Sequence, residues 1–200
     1  MEFRPTSGHP AHRPPGEGLK LHTVFPPVKI VSGGLVIREF GPQDAVPVAA
    51  FVASGDRTAL PPGSPETVAD VDGWLTDTVH RRRLDGEGVH LAIVKQATGE
   101  IVGSIGLRDT DWEAGHTEIG YGIHASQRGR GYATEAARAV GRWALIDGGI
   151  RRVQLRSRID NAASLRVAEK AGYQREGTLR IAERDGCEAH DLAVFSMIVT

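Results

Sequence analysis

The sequence predicts an α/β domain built on a mixed sheet, and three observations carry that prediction. Segments with the two-residue apolar period of half-buried strands alternate with segments spaced by three and four, as in amphipathic helices. Their order is one strand, two helices, three strands in antiparallel sequence, then helix, strand, helix and two closing strands, which mixes hairpins with crossovers. The chain has 200 residues, 40% hydrophobic and 24% charged. That length suits one domain with a sizeable core, because chains usually divide only beyond roughly 250 residues.

Residues 1–34 read as a flexible Pro/Gly-rich tail, holding six of the eleven prolines and three histidines without sustained periodicity. Such a segment buries too little apolar surface to offset its ordering entropy. Val24, Phe25 and the run Val28 to Val31 are its only points of attachment to the body. His9 and His12 lack a nearby Cys or carboxylate cluster and read as solvated rather than as metal ligands. The domain proper is 35–200. Leu35 to Phe40 is a first strand, and Pro42 to Ser54 a helix with proline near its start. Ser64-Pro65-Glu66-Thr67 opens a second helix, whose stripe Val68, Val71, Trp74, Leu75 and Val79 faces a core. Arg81-Arg82-Arg83 fall in its last turn, where positive charge complements the helix dipole.

Three strands follow, Val89 to Lys95, Glu100 to Arg108 and Thr117 to His124. Ala97-Thr98-Gly99 makes the first connection a hairpin, and Asp109 to His116 forms a longer acidic loop. A helix from about Tyr132 to Asp147 stops at Gly148-Gly149. Arg152 to Ile159 alternates Val153, Leu155 and Ser157 with polar neighbours, as a half-buried strand does. Asn161 caps a helix ending at Gly172, and strands near Tyr173 to Ile181 and Ala189 to Val199 close the chain.

Composition excludes several classes of function. The single cysteine, Cys187, rules out a disulfide framework or a Cys-rich zinc module, so no metal is expected. A formal net charge of −1, with 20 Arg and 4 Lys, argues against a globally basic nucleic-acid binder. No run approaches the ~18 apolar residues of a membrane span, and no apolar stretch follows Arg4 as in a signal peptide. A cytoplasmic protein with no membrane partner is the expectation.

The most informative stretch runs from Glu118 through Gly122, Ile123 and His124 to Arg128-Gly129-Arg130-Gly131-Tyr132-Ala133-Thr134. A strand enters a Gly-rich turn that opens a helix. Such turns bring backbone N–H groups close to an anion at the positive end of the helix dipole, and Arg128 and Arg130 add charge. A Walker loop would need a Lys that this turn lacks. A dinucleotide fingerprint would need Gly or Ala where Thr134 stands, an early parallel unit, and an acidic residue where the next strand carries Arg156, Ser157 and Arg158.

The run Arg128-Gly129-Arg130-Gly131-Tyr132-Ala133 resembles the Arg/Gln-x-x-Gly-x-Gly/Ala signature of the GNAT superfamily of acetyl-CoA-dependent N-acetyltransferases. Gly-Tyr-Ala-Thr-Glu-Ala, with Asp160-Asn161-Ala162-Ala163-Ser164 and Glu169-Lys170-Ala171-Gly172-Tyr173 downstream, is similar to its RimJ/RimL branch. The resemblance covers roughly Leu35 to Val199. It implies a mostly antiparallel sheet flanked by helices, whose central strands splay to form an acetyl-CoA cleft. It further implies that the backbone of Gly122, Ile123 and His124 meets the pantetheine arm. The pyrophosphate would lie on Arg128, Gly129, Arg130, Gly131, Tyr132, Ala133 and Thr134, with Asn161, Ser164 and Lys170 completing the co-substrate contacts.

Acetyl transfer to an amine needs a neutral nucleophile and a protonated leaving thiolate. Glu118, at the start of the splayed strand, is a candidate base, and Glu183, followed by Arg184-Asp185-Gly186, is a second. Many relatives carry an acidic tyrosine seven residues after the Asn; here that position is Ala168, and Ser164 becomes the candidate for the thiolate. Both Asn161 and Ser164 also suit a helix cap. The acidic loop Asp109, Asp111 and Glu113 would attract a cationic amine or a peptide N-terminus, or is simply a solvated loop. The expected function is therefore N-acetylation of a primary amine by direct transfer in a ternary complex, in a monomer or homodimer. A catalytically silent acyl-CoA-binding module is the alternative.

Overall fold

The structure, a computed structural model, describes residues 23–199. Eight strands form one sheet in the order β1-β2-β3-β4-β5-β6-β8-β7. They are β1 (Lys29–Ser32), β2 (Leu35–Glu39), β3 (Val89–Lys95), β4 (Ile101–Asp111), β5 (His116–Ile123), β6 (Arg152–Arg158), β7 (Gln174–Asp185) and β8 (Glu188–Ile198). Every neighbouring pair is antiparallel except β5 with β6. The helices are α1 (Ala45–Ser54), α2 (Val71–Gly73), α3 (Val79–Leu84), α4 (Tyr132–Ile146) and α5 (Ala162–Ala171). This is the mixed, mostly antiparallel α/β architecture that the sequence predicts.

The alternation of strand side chains sorts the core into two layers. Leu35, Ile37, Leu91, Ile93, Ile105, Leu107 and Ile119 pack with Ala136, Ala137 and Val140 of α4. On the opposite face Val94 and Ile101 meet Val48 of α1, with Val71, Trp74, Leu75 and Val79. A π-helical turn, Trp74–Thr78, joins α2 to α3 and keeps both Trp74 and Leu75 turned inward. Val68, expected in the same stripe, is half exposed in a short 3-10 turn ahead of α2.

The expected tail differs from the structure over its described part. Residues 29–32 form β1, which turns through Gly33 and Gly34, both at positive φ, to pair with β2. Two left-handed residues are what a tight hairpin turn requires. Phe25 is 1% exposed, its ring tilted against those of Trp112 and Trp143 with centroids 4.7 Å and 5.7 Å away. The attachment through Phe25 and Val28 is thus a full part of the core. Residues 1–22, with His9 and His12, lie outside the described residues.

What positions the site is the join between β5 and β6. The two strands pair only over His116–Glu118 and Arg152–Gln154. Beyond that, β5 continues along β4 to Ile123 while β6 continues along β8 to Arg158. Each therefore keeps one unpaired edge facing the other across a widening gap. Among the described residues, no helix is long and apolar enough to cross a membrane.

Candidate active site

The gap between β5 and β6 opens into a cavity of about 660 Å³, lined by Ile119, Tyr121, Leu155, Ser157, Asn161 and Ser164 and extending across β4 to His90 and the segment from Arg57 to Ser64. On the α1 side the backbone of Thr58 closes against β5. A Cβ on Gly122 would come within 2.2 Å of the Thr58 carbonyl oxygen, so only glycine allows that approach.

Glu118 stands at the vertex. Its side chain is 5% exposed, one oxygen accepting from Arg108 Nη2 and the other from Arg156 Nε. Arg108 lies directly opposite Glu118 in the β4–β5 register. The carboxylate thus bridges β4, β5 and β6 where the V begins. The sequence expectation of a free base at this position meets a carboxylate with both oxygens engaged and no place in the wall of the main cavity. Glu183 does line that cavity and is exposed. A smaller pocket of about 170 Å³ joins Glu118 and Glu183 behind the two arginines.

Ser164 lies in the first turn of α5, started by Asn161, whose Oδ1 accepts the Ser164 backbone N–H at 3.1 Å. Its hydroxyl is 2.9 Å from Tyr121 Oη. Burial raises the Tyr121 phenol above its ordinary pKa, opposed by the Ser164 contact, so the hydroxyl stays protonated and can donate to Ser164 Oγ. Sequence reasoning did not single out Tyr121. The one signal was its parity, which puts it on the α5 face of β5 with Ile119 and Ile123. Ala168 is fully buried, so that position supplies no acid.

Gly129 and Gly131 have φ of 76° and 84°, and Gly131 is the left-handed residue ahead of α4. Among the described residues, the N–H groups of Gly129, Arg130, Gly131, Tyr132, Ala133 and Thr134 find no acceptor. They are the open donors of a helix start, suited to a phosphate. Arg128 and Arg130 are exposed, and Arg128 Nε donates to the Ile123 carbonyl at 3.1 Å.

Other expected contacts are arranged differently. The His124 N–H already donates to Val102 O at 2.9 Å, so it is not an open donor. The His124 ring instead ties the end of β5 to Asp56 at 3.2 Å and Ser126 at 2.8 Å. Lys170, in the last turn of α5, lies outside the cavity wall, and its carbonyl accepts from Arg138 of α4 at 2.7 Å. The acidic loop sits at the paired end of β5, where the Ala114 N–H donates to Asp111 at 2.8 Å. None of Asp109, Asp111 and Glu113 reaches the cavity wall. Cys187 is exposed in the β7–β8 turn.

His90 of β3 also lines the cavity, its pKa pushed down to about 4 by burial and then by the charge of Arg82. The native imidazole therefore stays neutral where the unfolded chain takes up a proton. Stability is complete above the unfolded value near 6.5 and is lost as pH falls toward 4. The loss is about 2 kcal/mol by roughly pH 5. His90→Gln is expected to remove this part of the acid sensitivity. Thermal unfolding of both proteins at neutral and acid pH checks it, and an equal loss in the two would refute it.

With this geometry in view, the comparisons are consistent. The family model of the acetyltransferase (GNAT) domain matches residues 34–174. An N-acetyltransferase of Bacillus licheniformis, p20, is 23% identical over 164 residues, covering 82% of this chain and 92% of that protein. The crystal structure of a GNAT-family acetyltransferase from Bacillus anthracis superposes with a TM-score of 0.67 at 22% identity, over 86% of this chain and 98% of that one. RimL, a ribosomal alpha-N-protein acetyltransferase solved with coenzyme A, superposes at 0.69 with 21% identity, over 85% and 97%.

Proposed function

Because the chain belongs to the GNAT acetyltransferase family, we propose that this N-acetyltransferase moves an acetyl group from acetyl-CoA directly to a primary amine in a ternary complex. The observation that carries the reading is the V between β5 and β6, with two unpaired strand edges and a hydroxyl pair on its wall. Acetyl-CoA supplies the acetyl group as an activated thioester. The turn N–H groups of Gly129 to Thr134 hold the pyrophosphate. The free edge of β5 at Gly122 and Ile123 pairs with the amides of the pantetheine arm as an added strand would.

In the net reaction a C–N bond forms, the C–S bond breaks, the amine loses a proton and the sulfur gains one. Ser164 Oγ delivers the proton to the sulfur and is re-supplied by Tyr121 Oη. Glu183 takes the proton of the amine, directly or through water, since both oxygens of Glu118 are committed to arginines. Titration with acetyl-CoA, followed by thiol release against a panel of amines, tests the reading. Saturable binding with amine-dependent release is expected. Failure to bind CoA would overturn it.

A further inference from the structure

Five arginines, Arg57, Arg82, Arg108, Arg156 and Arg158, line the cavity against one acidic residue, Glu183. All five arginines are half-buried rather than splayed into solvent. Three have anionic partners: Arg108 and Arg156 share Glu118, and Arg158 lies 2.8 Å from Asp160. The other two do not. Among the described residues, Arg57 and Arg82 have no carboxylate within 4.0 Å. Arg57 donates to the hydroxyl of Ser64 at 2.8 Å and to its carbonyl. The Arg82 guanidinium has no hydrogen-bond acceptor among the described residues.

Like charges gathered in a concave, partly solvated wall repel one another and focus a positive potential into the space they enclose. An acceptor that is only a cation would meet that potential unfavourably. The charge is not the pyrophosphate site, because none of the residues from Gly129 to Thr134 lines this cavity.

We propose that the acceptor is a small primary amine that also carries an oxyanion, a carboxylate or a phosphate, held by Arg82 and Arg57 while the amine points toward the vertex of the V. The proposal rests on the acetyltransferase reading above and gives it a substrate class. Guanidinium groups match such oxyanions in charge and in paired donor geometry. The same field favours the neutral amine over the ammonium, and only the neutral form has the lone pair that forms the new C–N bond.

The test uses matched pairs: an aminoalkyl phosphate against its amino alcohol, and an amino acid against its amide, with a neutral peptide N-terminus alongside. Turnover is followed by thiol release from the intact protein. Binding of each amine is measured by calorimetry on CoA-saturated protein, so that an amine too slow to turn over is still read. The anionic members are expected to exceed their neutral partners in kcat/KM, or in affinity, by about tenfold or more. Preference for the phosphate or the carboxylate pair identifies which oxyanion is taken. Arg82→Gln is expected to raise KM for the anionic member about tenfold at unchanged kcat and to leave the neutral member unaffected. Arg82→Lys is expected to recover part of the loss, with Tm unchanged in both variants.

Equal or better use of the neutral members or the peptide would overturn the proposal. So would the absence of any amine binding to CoA-saturated protein. Loss of CoA binding itself would strike at the acetyltransferase reading instead, and the titration separates the two.

Discussion

Ser164→Ala is expected to lower kcat by about a hundredfold, the ordinary contribution of a placed general acid, and to leave acetyl-CoA affinity nearly unchanged. The substitution is clean because Asn161 caps α5 through the Ser164 backbone N–H, which alanine retains. Tyr121→Phe keeps the ring between β5 and α5 and deletes only the hydroxyl 2.9 Å from Ser164 Oγ. It is expected to lower kcat nearly as far. The double variant is expected to be no slower than Ser164→Ala alone, because the effects of two hydroxyls on one proton path do not add. Pre-steady-state and steady-state thiol release measure all three. Multiplicative losses would show that Tyr121 acts apart from Ser164.

Glu118→Gln is expected to lose both stability and activity. The amide leaves Arg108 and Arg156 facing each other without their shared anion, at a side chain only 5% exposed. Removing one partner of a fully buried pair costs 3–5 kcal/mol; with both arginines partly solvated the loss here is about 2–3 kcal/mol. For a domain of this size that lowers Tm by roughly 5–10 °C. Activity falls because the carboxylate joins β4, β5 and β6 where the cleft begins. Glu183→Gln, at the exposed cavity rim, is expected to lower kcat at unchanged Tm. Calorimetric melting of both variants decides. A Glu118→Gln protein with native Tm and no activity would return the base to Glu118.

Much of the fold was legible because its signals are local. Alternation along β6 and the three-and-four spacing of the stripe from Val71 to Val79 follow from single-chain geometry. Gly129 and Gly131 announced a turn opening a helix, and Asn161 its cap, through local chemistry that needs no distant partner. The hairpin of β1 was legible in principle from Gly33-Gly34 between short alternating runs. Its proline-rich surroundings pointed instead to a tail. Burial of Phe25 against Trp112 and Trp143 comes from tertiary packing that no local pattern reports.

The site divides along the same line. The Gly-rich turn ahead of α4, the serine at the start of α5 and the family resemblance were all readable in contiguous residues. The meeting of Tyr121 with Ser164, 43 residues apart, needed the packing of α5 against β5. The role of Glu118 depended on register: the bulged β4–β5 connection puts Arg108 opposite it, and the parallel pairing of β6 brings Arg156 to its other side. Registers across such connections are set by packing, since a one-residue slip would turn each of these side chains to the opposite face. The gathering of five arginines from separate segments around one cavity has the same origin. Composition counted their charge, while only the folded chain decided that they would face a common space.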